Sequence, residues 1–271
     1  MLLKTHFRGG DYDTYCYTGG KTFDPALPTV VFIHGAQNDH SVWILQTRYF
    51  AHHGFGVLAV DLPGHGRSEG PALTSVEAMA DWVLHLLDAA GVQQASLIGH
   101  SMGSLVSLET CARAPARVKK LALVGTAYPM KVSDTLLNAA LNEEQSAIDM
   151  VNIWSHSSIA QKPSFPGPGF YVTGGGQRLM QYVSRHSDEK VFHIDFSACN
   201  AYANGEAAAK AVNCPTLFLL GKRDVMTPPK ATATLTKAIA QARVVQLEHC
   251  GHDLMGEQPD AVLDNLFGFM R

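Results

Sequence analysis

No apolar run in the chain approaches the ~20 residues that cross a bilayer. The opening stretch, Met1-Leu2-Leu3-Lys4-Thr5-His6-Phe7, has neither a hydrophobic signal core nor a small-residue cleavage site. A membrane partner is therefore not expected. Runs of Lys or Arg are also missing, and the formal net charge is only −3, which argues against nucleic acid as a partner. Cysteine is scarce and unpatterned. Cys16, Cys111, Cys199, Cys214 and Cys250 are odd in number, and none forms a CxxC pair. That spacing speaks against a disulfide framework and fits free thiols in a reducing cytoplasm, the expected location. Internal repeats and low-complexity segments are lacking as well. What is there is 271 residues of globular composition, 46% hydrophobic and 17% charged. That suffices for one large α/β domain with an insertion, or for two small domains.

Short apolar runs alternate with helical periodicity. Leu3–Phe7 and Thr14–Tyr17, separated by Gly9-Gly10-Asp11, read as an antiparallel hairpin at a sheet edge. Thr29–Ile33, Phe55–Val60, the run before Gly99, Leu121–Val124 and Pro215–Leu220 are nearly continuous apolar segments, as strands buried on both faces require. A helix is expected from Trp43 to about His53. Thr74-Ser75-Val76-Glu77 reads as a capping box with Thr74 as the cap, opening a helix that Gly91 closes. The alternation breaks at about Tyr128 and resumes after about Val212. Between them helices are expected at Asp134–Trp154, Gly176–Arg185 and Asp188–Ala203, with a Pro/Gly-rich loop around Phe165. Residues 1–127 and 213–271 thus read as two parts of one α/β core, and 128–212 as a helical cap inserted after the sixth strand.

The chemistry gathers where strands end. Gly99-His100-Ser101-Met102-Gly103 follows a strand and precedes a helix, the context of a nucleophile elbow. Its turn is tight enough to hold the serine in a strained conformation, so Gly99 and Gly103 serve a steric need. A serine nucleophile requires a histidine base and a carboxylate to orient it. Asp224 lies just past the strand Leu217–Leu220, and His252 just past Arg243–Leu247, in the order Ser, Asp, His. An acid after the preceding strand would compete, but Gly125-Thr126-Ala127 supplies none.

With these motifs in place, the whole chain resembles an α/β-hydrolase carrying a cap. His34-Gly35 resembles the family's oxyanion-loop motif, with Trp43 at the expected distance. Asp61-Leu62-Pro63-Gly64-His65-Gly66-Arg67-Ser68 resembles its DxPGxGxS loop, Asp224 its acid, and Gly251-His252 its histidine loop. Ser104 stands where many relatives have a second glycine. The resemblance implies a mostly parallel sheet flanked by helices on both faces, and an oxyanion hole made by the backbone N–H groups of Ala36 and Met102. It implies a serine hydrolase that needs no cofactor and acts on a carboxylic ester of a small to medium, fairly apolar molecule. Lactone, thioester or C–C bond hydrolysis and cofactor-free perhydrolysis use the same triad and stay open, as does a hydrolase-fold receptor for a small ligand. Haloalkane and epoxide chemistry are disfavoured, because those relatives carry aspartate where this chain has Ser101.

His34, Trp154, Phe170 and Met226 are candidates for the substrate pocket. Other clusters read more plainly. His249, Cys250, His252 and Asp253 crowd together, but their spacing matches no zinc pattern, and no metal is expected. Gly174-Gly175-Gly176 lacks the Lys-Ser/Thr of a phosphate loop and reads as a flexible loop of the cap. His34, His65 and His100 read as hydrogen-bonding supports of the loops, and Cys250 as a small packing residue. Oligomeric state is not encoded in any motif.

Overall fold

The computed structural model describes residues 1–158 and 172–271. Eight strands form one sheet: β1 (Leu2–Phe7), β2 (Gly10–Tyr17), β3 (Thr29–Ile33), β4 (Gly56–Val60), β5 (Ala95–His100), β6 (Val118–Val124), β7 (Thr216–Gly221) and β8 (Ala242–Leu247). Their spatial order is β1-β2-β4-β3-β5-β6-β7-β8. β1 pairs with β2, and β2 with β4, antiparallel; the remaining ladders are parallel. Every residue of β3, β4, β5 and β7 is buried. Their sequences run apolar without alternation because helices cover both faces.

Those helices are α1 (Ile44–His52), α2 (Val76–Ala89), α3 (Met102–Arg113), α8 (Gly205–Ala211), α9 (Ala233–Ala238), α10 (Leu254–Glu257) and α11 (Pro259–Met270). Successive residues of one strand feed opposite layers. Val31 and Ile33 pack with Met79, Val83, Leu105 and Leu108 of α2 and α3. Val30 and Phe32 pack with Phe50 of α1 and Val262 and Leu266 of α11. The period-2 pleat thus divides the core into two clusters.

Between β6 and β7 lie α4 (Asp134–Asn142), α5 (Glu144–Trp154), α6 (Val172–Arg185) and α7 (Val191–Ala201), before α8. They share their own apolar cluster, including Leu136, Ile148, Met180, Phe192 and Phe196.

Three local expectations are corrected. The cap of α2 is Ser75, whose Oγ accepts from Ala78 N at 3.1 Å. The helix begins one residue later than the Thr74 box requires, and Thr74 Oγ1 instead accepts from Arg8. The helix expected over Asp134–Trp154 is two helices, broken where Glu143 leaves helical geometry (φ −139°). Gly174–Gly176 are not a loop but lie in the first turns of α6, so tertiary packing overrides the poor helix propensity of glycine. α8, within the stretch counted as insertion, buries Ala208 and Ala209 in the cluster shared with α3.

Candidate active site

β5 delivers the chain into Ser101, and α3 begins at the next residue. Ser101 has φ +51°, ψ −119°, a conformation that non-glycine residues rarely hold. Its N–H is anchored to Val124 O at 2.9 Å. The flanking glycines leave no alternative. A Cβ on Gly99 would collide with Gly103 O, and one on Gly103 would sit 2.5 Å from both Ile33 O and His34 O. Ser104 is absorbed inside the turn, its Oγ 2.5 Å from Ser101 O and 2.7 Å from Thr126 Oγ1.

Asp224 follows β7 and is surrounded by donors. Its Oδ1 accepts from Met226 N (2.8 Å) and Thr227 N (2.7 Å). Its Oδ2 lies 2.6 Å from Thr227 Oγ1 and 2.8 Å from His252 Nδ1. Burial works to raise the carboxyl pKa, but the His252 imidazole and the bonds from His252 and Thr227 win and hold it at about 2. His252 follows β8, and its carbonyl is fixed by His100 Nε2 at 2.9 Å. Glu257 takes the N–H of the preceding Gly251. Thr227 was not anticipated. It also lies 3.0 Å from His252 Nδ1. The available signal was its place three residues after an aspartate that ends a strand, the spacing at which an acid side chain caps its own turn.

Ser101 and His252 both line a cavity of about 280 Å³ and a second of about 180 Å³. Ala36, Phe196 and Met226 are shared by both as well. The Ala36 and Met102 N–H groups donate to no acceptor among the described residues; Met102 opens a helix, where such donors are left over. Of the pocket candidates, Met226 lines both cavities and Trp154 the smaller one. Phe170 lies outside the described residues. His34 does not line either cavity and is corrected. Fully buried, its Nε2 accepts from Leu62 N at 3.1 Å and its Nδ1 lies 2.8 Å from Gly35 O. Both nitrogens are spent on the two loops, and burial, helped by nearby His65, drives its pKa down to about 4.

His100 is likewise held neutral, its pKa pushed to about 4 by burial and by His252. His65 goes the other way. Burial opposes its charge, but Asp195, joined by Pro63 O and Asp61, outweighs burial and raises its pKa; Nε2 lies 2.9 Å from Asp195 Oδ2 and Nδ1 3.0 Å from Pro63 O. Asp195, on α7, also accepts from Gln37 N, while Gln37 Nε2 donates to Met180 O and Ser184 Oγ of α6. The loops after β3 and β4 are thereby tied to the helices above them.

Asp39, His40 and Asp61 offer three metal-ligand atoms within 4.8 Å of one another. Asp61 is already occupied, however, with Oδ1 accepting from His40 N and facing His40 Nδ1, and Oδ2 accepting from Arg67 N. No helix of the described residues is long and apolar enough to cross a membrane. The arrangement can support nucleophilic attack by a hydroxyl that shares its cavities with an oriented imidazole, with two N–H donors unclaimed among the described residues to receive developing negative charge.

Comparison with known proteins bears on the family and the fold. The (E)-2-((N-methylformamido)methylene)succinate hydrolase of Acinetobacter baylyi is 32% identical over 218 residues, 78% of this chain and 76% of that protein. A 98-residue stretch is 41% identical to the dihydrolipoyllysine-residue acetyltransferase component of the acetoin cleaving system of Cupriavidus necator; it spans 35% of this chain and only 26% of that longer protein. Among solved structures, the enol-lactonase from Burkholderia xenovorans superposes with a TM-score of 0.79 at 24% identity, covering 96% of each chain. The sequence model of the alpha/beta hydrolase family matches residues 30–265. The chain belongs to the alpha/beta hydrolase family.

Proposed function

We propose that the protein is a serine hydrolase that cleaves a carboxylic ester of a small to medium molecule. The observation that carries this reading is Ser101. It is held at positive φ between β5 and α3 and shares both cavities with His252, whose Nδ1 faces a buried, ionised Asp224.

Ser101 Oγ attacks the ester carbonyl carbon and gives its proton to His252 Nε2. The oxyanion that develops is received by the N–H groups of Ala36 and Met102. His252 then passes the proton to the departing alkoxide, leaving an acyl group on Ser101. Water attacks this acyl-enzyme with His252 as base, releasing the acid and restoring the hydroxyl. Asp224 keeps the imidazole in the tautomer whose Nε2 can accept a proton, and Thr227 holds Asp224 in register. In this reading residues 128–212 act as a cap whose helices α5–α7 bound the substrate.

Lactone and C–C hydrolysis form the second reading, supported by two cavities that meet at Ser101 and leave room on either side of a scissile bond. A panel of p-nitrophenyl esters of rising acyl length, run beside lactones and thioesters, separates the two. The mechanism itself is tested with a fluorophosphonate, which labels only a base-activated hydroxyl. A single adduct on Ser101 is expected, found by mass spectrometry of the labelled peptide. An adduct on another serine, or none, overturns the assignment.

A further inference from the structure

The wall contributed by α5 contains an unsatisfied polar group. Asn152 lines the 280 Å³ cavity, is only 6% exposed, and its buried Oδ1 has no hydrogen-bond partner among the described residues. A buried amide oxygen without a partner is costly, so its retention calls for a partner from outside the chain, a bound water or a ligand, or for another explanation. Its polar neighbours differ. Ser155 Oγ donates to Val151 O. His156 uses Nδ1 on Asn152 O, while its Nε2, 3.3 Å from Asp253 Oδ2, makes no hydrogen bond among the described residues. On α1, Gln46 joins the same lining with both carboxamide atoms buried and unpartnered among the described residues. Most of the other lining is apolar, including Leu45, Val151, Leu179 and Met255.

Space has been left beside Asn152. A Cβ on Gly176 of α6 would stand 3.2 Å from Asn152 Oδ1, closer than nearly all real contacts. Gly175 and Gly176 line the cavity in a helical turn where glycine is otherwise unfavourable. The terminal torsion of asparagine is soft. With a glycine facing it, the carboxamide can turn either its oxygen or its nitrogen toward an occupant.

We propose that Asn152 is a specificity-determining residue: it selects acyl groups that carry a neutral hydrogen-bonding function, an amide or a ketone along the chain, over all-carbon chains of the same length. The proposal rests on the reading of Ser101 as the ester-cleaving nucleophile, and it narrows the fairly apolar substrate expected from sequence. A site built to hydrogen-bond its substrate rejects the analogue that lacks the group, because its own polar atoms are then left unpaired.

The test is an isosteric series: p-nitrophenyl valerate, 4-oxopentanoate and N-acetylglycinate, and the same three chains lengthened by two carbons. Each is assayed on wild type, Asn152→Leu and Gly176→Ala. Intrinsic ester reactivity cancels when the polar-to-apolar ratio of kcat/KM is compared between proteins. Asn152→Leu is expected to lower that ratio by about tenfold or more at one chain length, with the all-carbon ester within about threefold of wild type. Gly176→Ala, which crowds the carboxamide while favouring the helix, should lower the ratio by about threefold and leave Tm unchanged or higher. Fluorophosphonate labelling of Ser101 is measured on every protein, so loss of the nucleophile is not mistaken for loss of selectivity. Protection of Ser101 from labelling by N-acetylglycine against valeric acid reads the same preference without turnover. An unchanged ratio in both labelled variants at both chain lengths, with equal protection by the two acids, overturns the proposal.

Discussion

The two walls of the candidate site are built on opposite principles. On the core side, Asp224 is enclosed by Met226 N, Thr227 N, Thr227 Oγ1 and His252 Nδ1, and His252 O is fixed by His100. On the α5–α6 side, Asn152 Oδ1 has no partner among the described residues, and Gly176 stands where a Cβ would crowd it. Satisfied networks rigidify a reacting group, which suits a proton relay that must not move. A carboxamide at the cavity wall with an unsatisfied oxygen leaves bonding for a ligand to complete. In the proposed reading the braced Asp224–His252 pair serves the chemistry and Asn152 the choice of substrate.

Disabling the core wall should have the largest effect. Ser101→Ala should reduce ester turnover by about 10⁴ or more and abolish fluorophosphonate labelling. Its Tm should stay close to wild type, since the change removes one hydroxyl and no packing. Asp224→Asn should lower kcat by about 10⁴, because the imidazole loses the group that sets its tautomer; steady-state kinetics that retain most activity would show that another carboxylate orients His252. Thr227→Val keeps the shape and removes the hydroxyl near both Asp224 and His252. About tenfold in kcat is expected, with KM nearly constant, from loss of one hydrogen bond to a charged group.

The smallest effect concerns the tie between the walls, the buried pair of His65 and Asp195. His65 has its folded pKa raised above the unfolded value. The pair's stabilisation is therefore complete below about pH 6.5 and is lost as pH rises through the higher folded value. Asp195→Asn should open a Tm gap to wild type that is widest near pH 6 and narrows toward pH 9. A gap independent of pH in calorimetry would mean that the contact stabilises by hydrogen bonding alone. Catalysis by the core wall should change little, because neither His65 nor Asp195 touches the reacting groups.

Much of the core side was legible beforehand for a local reason. Ser101, Asp224 and His252 each stand past the end of an expected strand, and in a parallel sheet such ends share one edge. Gly99 and Gly103 were legible because the elbow needs space at those positions. Thr74 misled because capping depends on where the helix starts, and a shift of one residue handed the cap to Ser75. His34 misled for another reason: its motif placed it near the site, but only folding revealed that both its nitrogens are used by the loops. The helical segment was the least legible. Apolar residues at helical spacing, such as Met180 and Phe192, pack among the helices themselves, and periodicity does not tell packing from lining.

By itself the sequence determined the α/β alternation, the elbow, and the order of serine, acid and histidine, because those features depend on short-range sterics and on strand ends. Only the tertiary structure decided that Thr227 braces the acid, that Asp195 on α7 binds His65 from 130 residues away, and that Asn152 lines the cavity with a buried amide oxygen that has no partner among the described residues. Contacts of that kind join segments with no local relation to one another. They become visible only when packing brings the segments within hydrogen-bond reach, or leaves a polar atom just outside it.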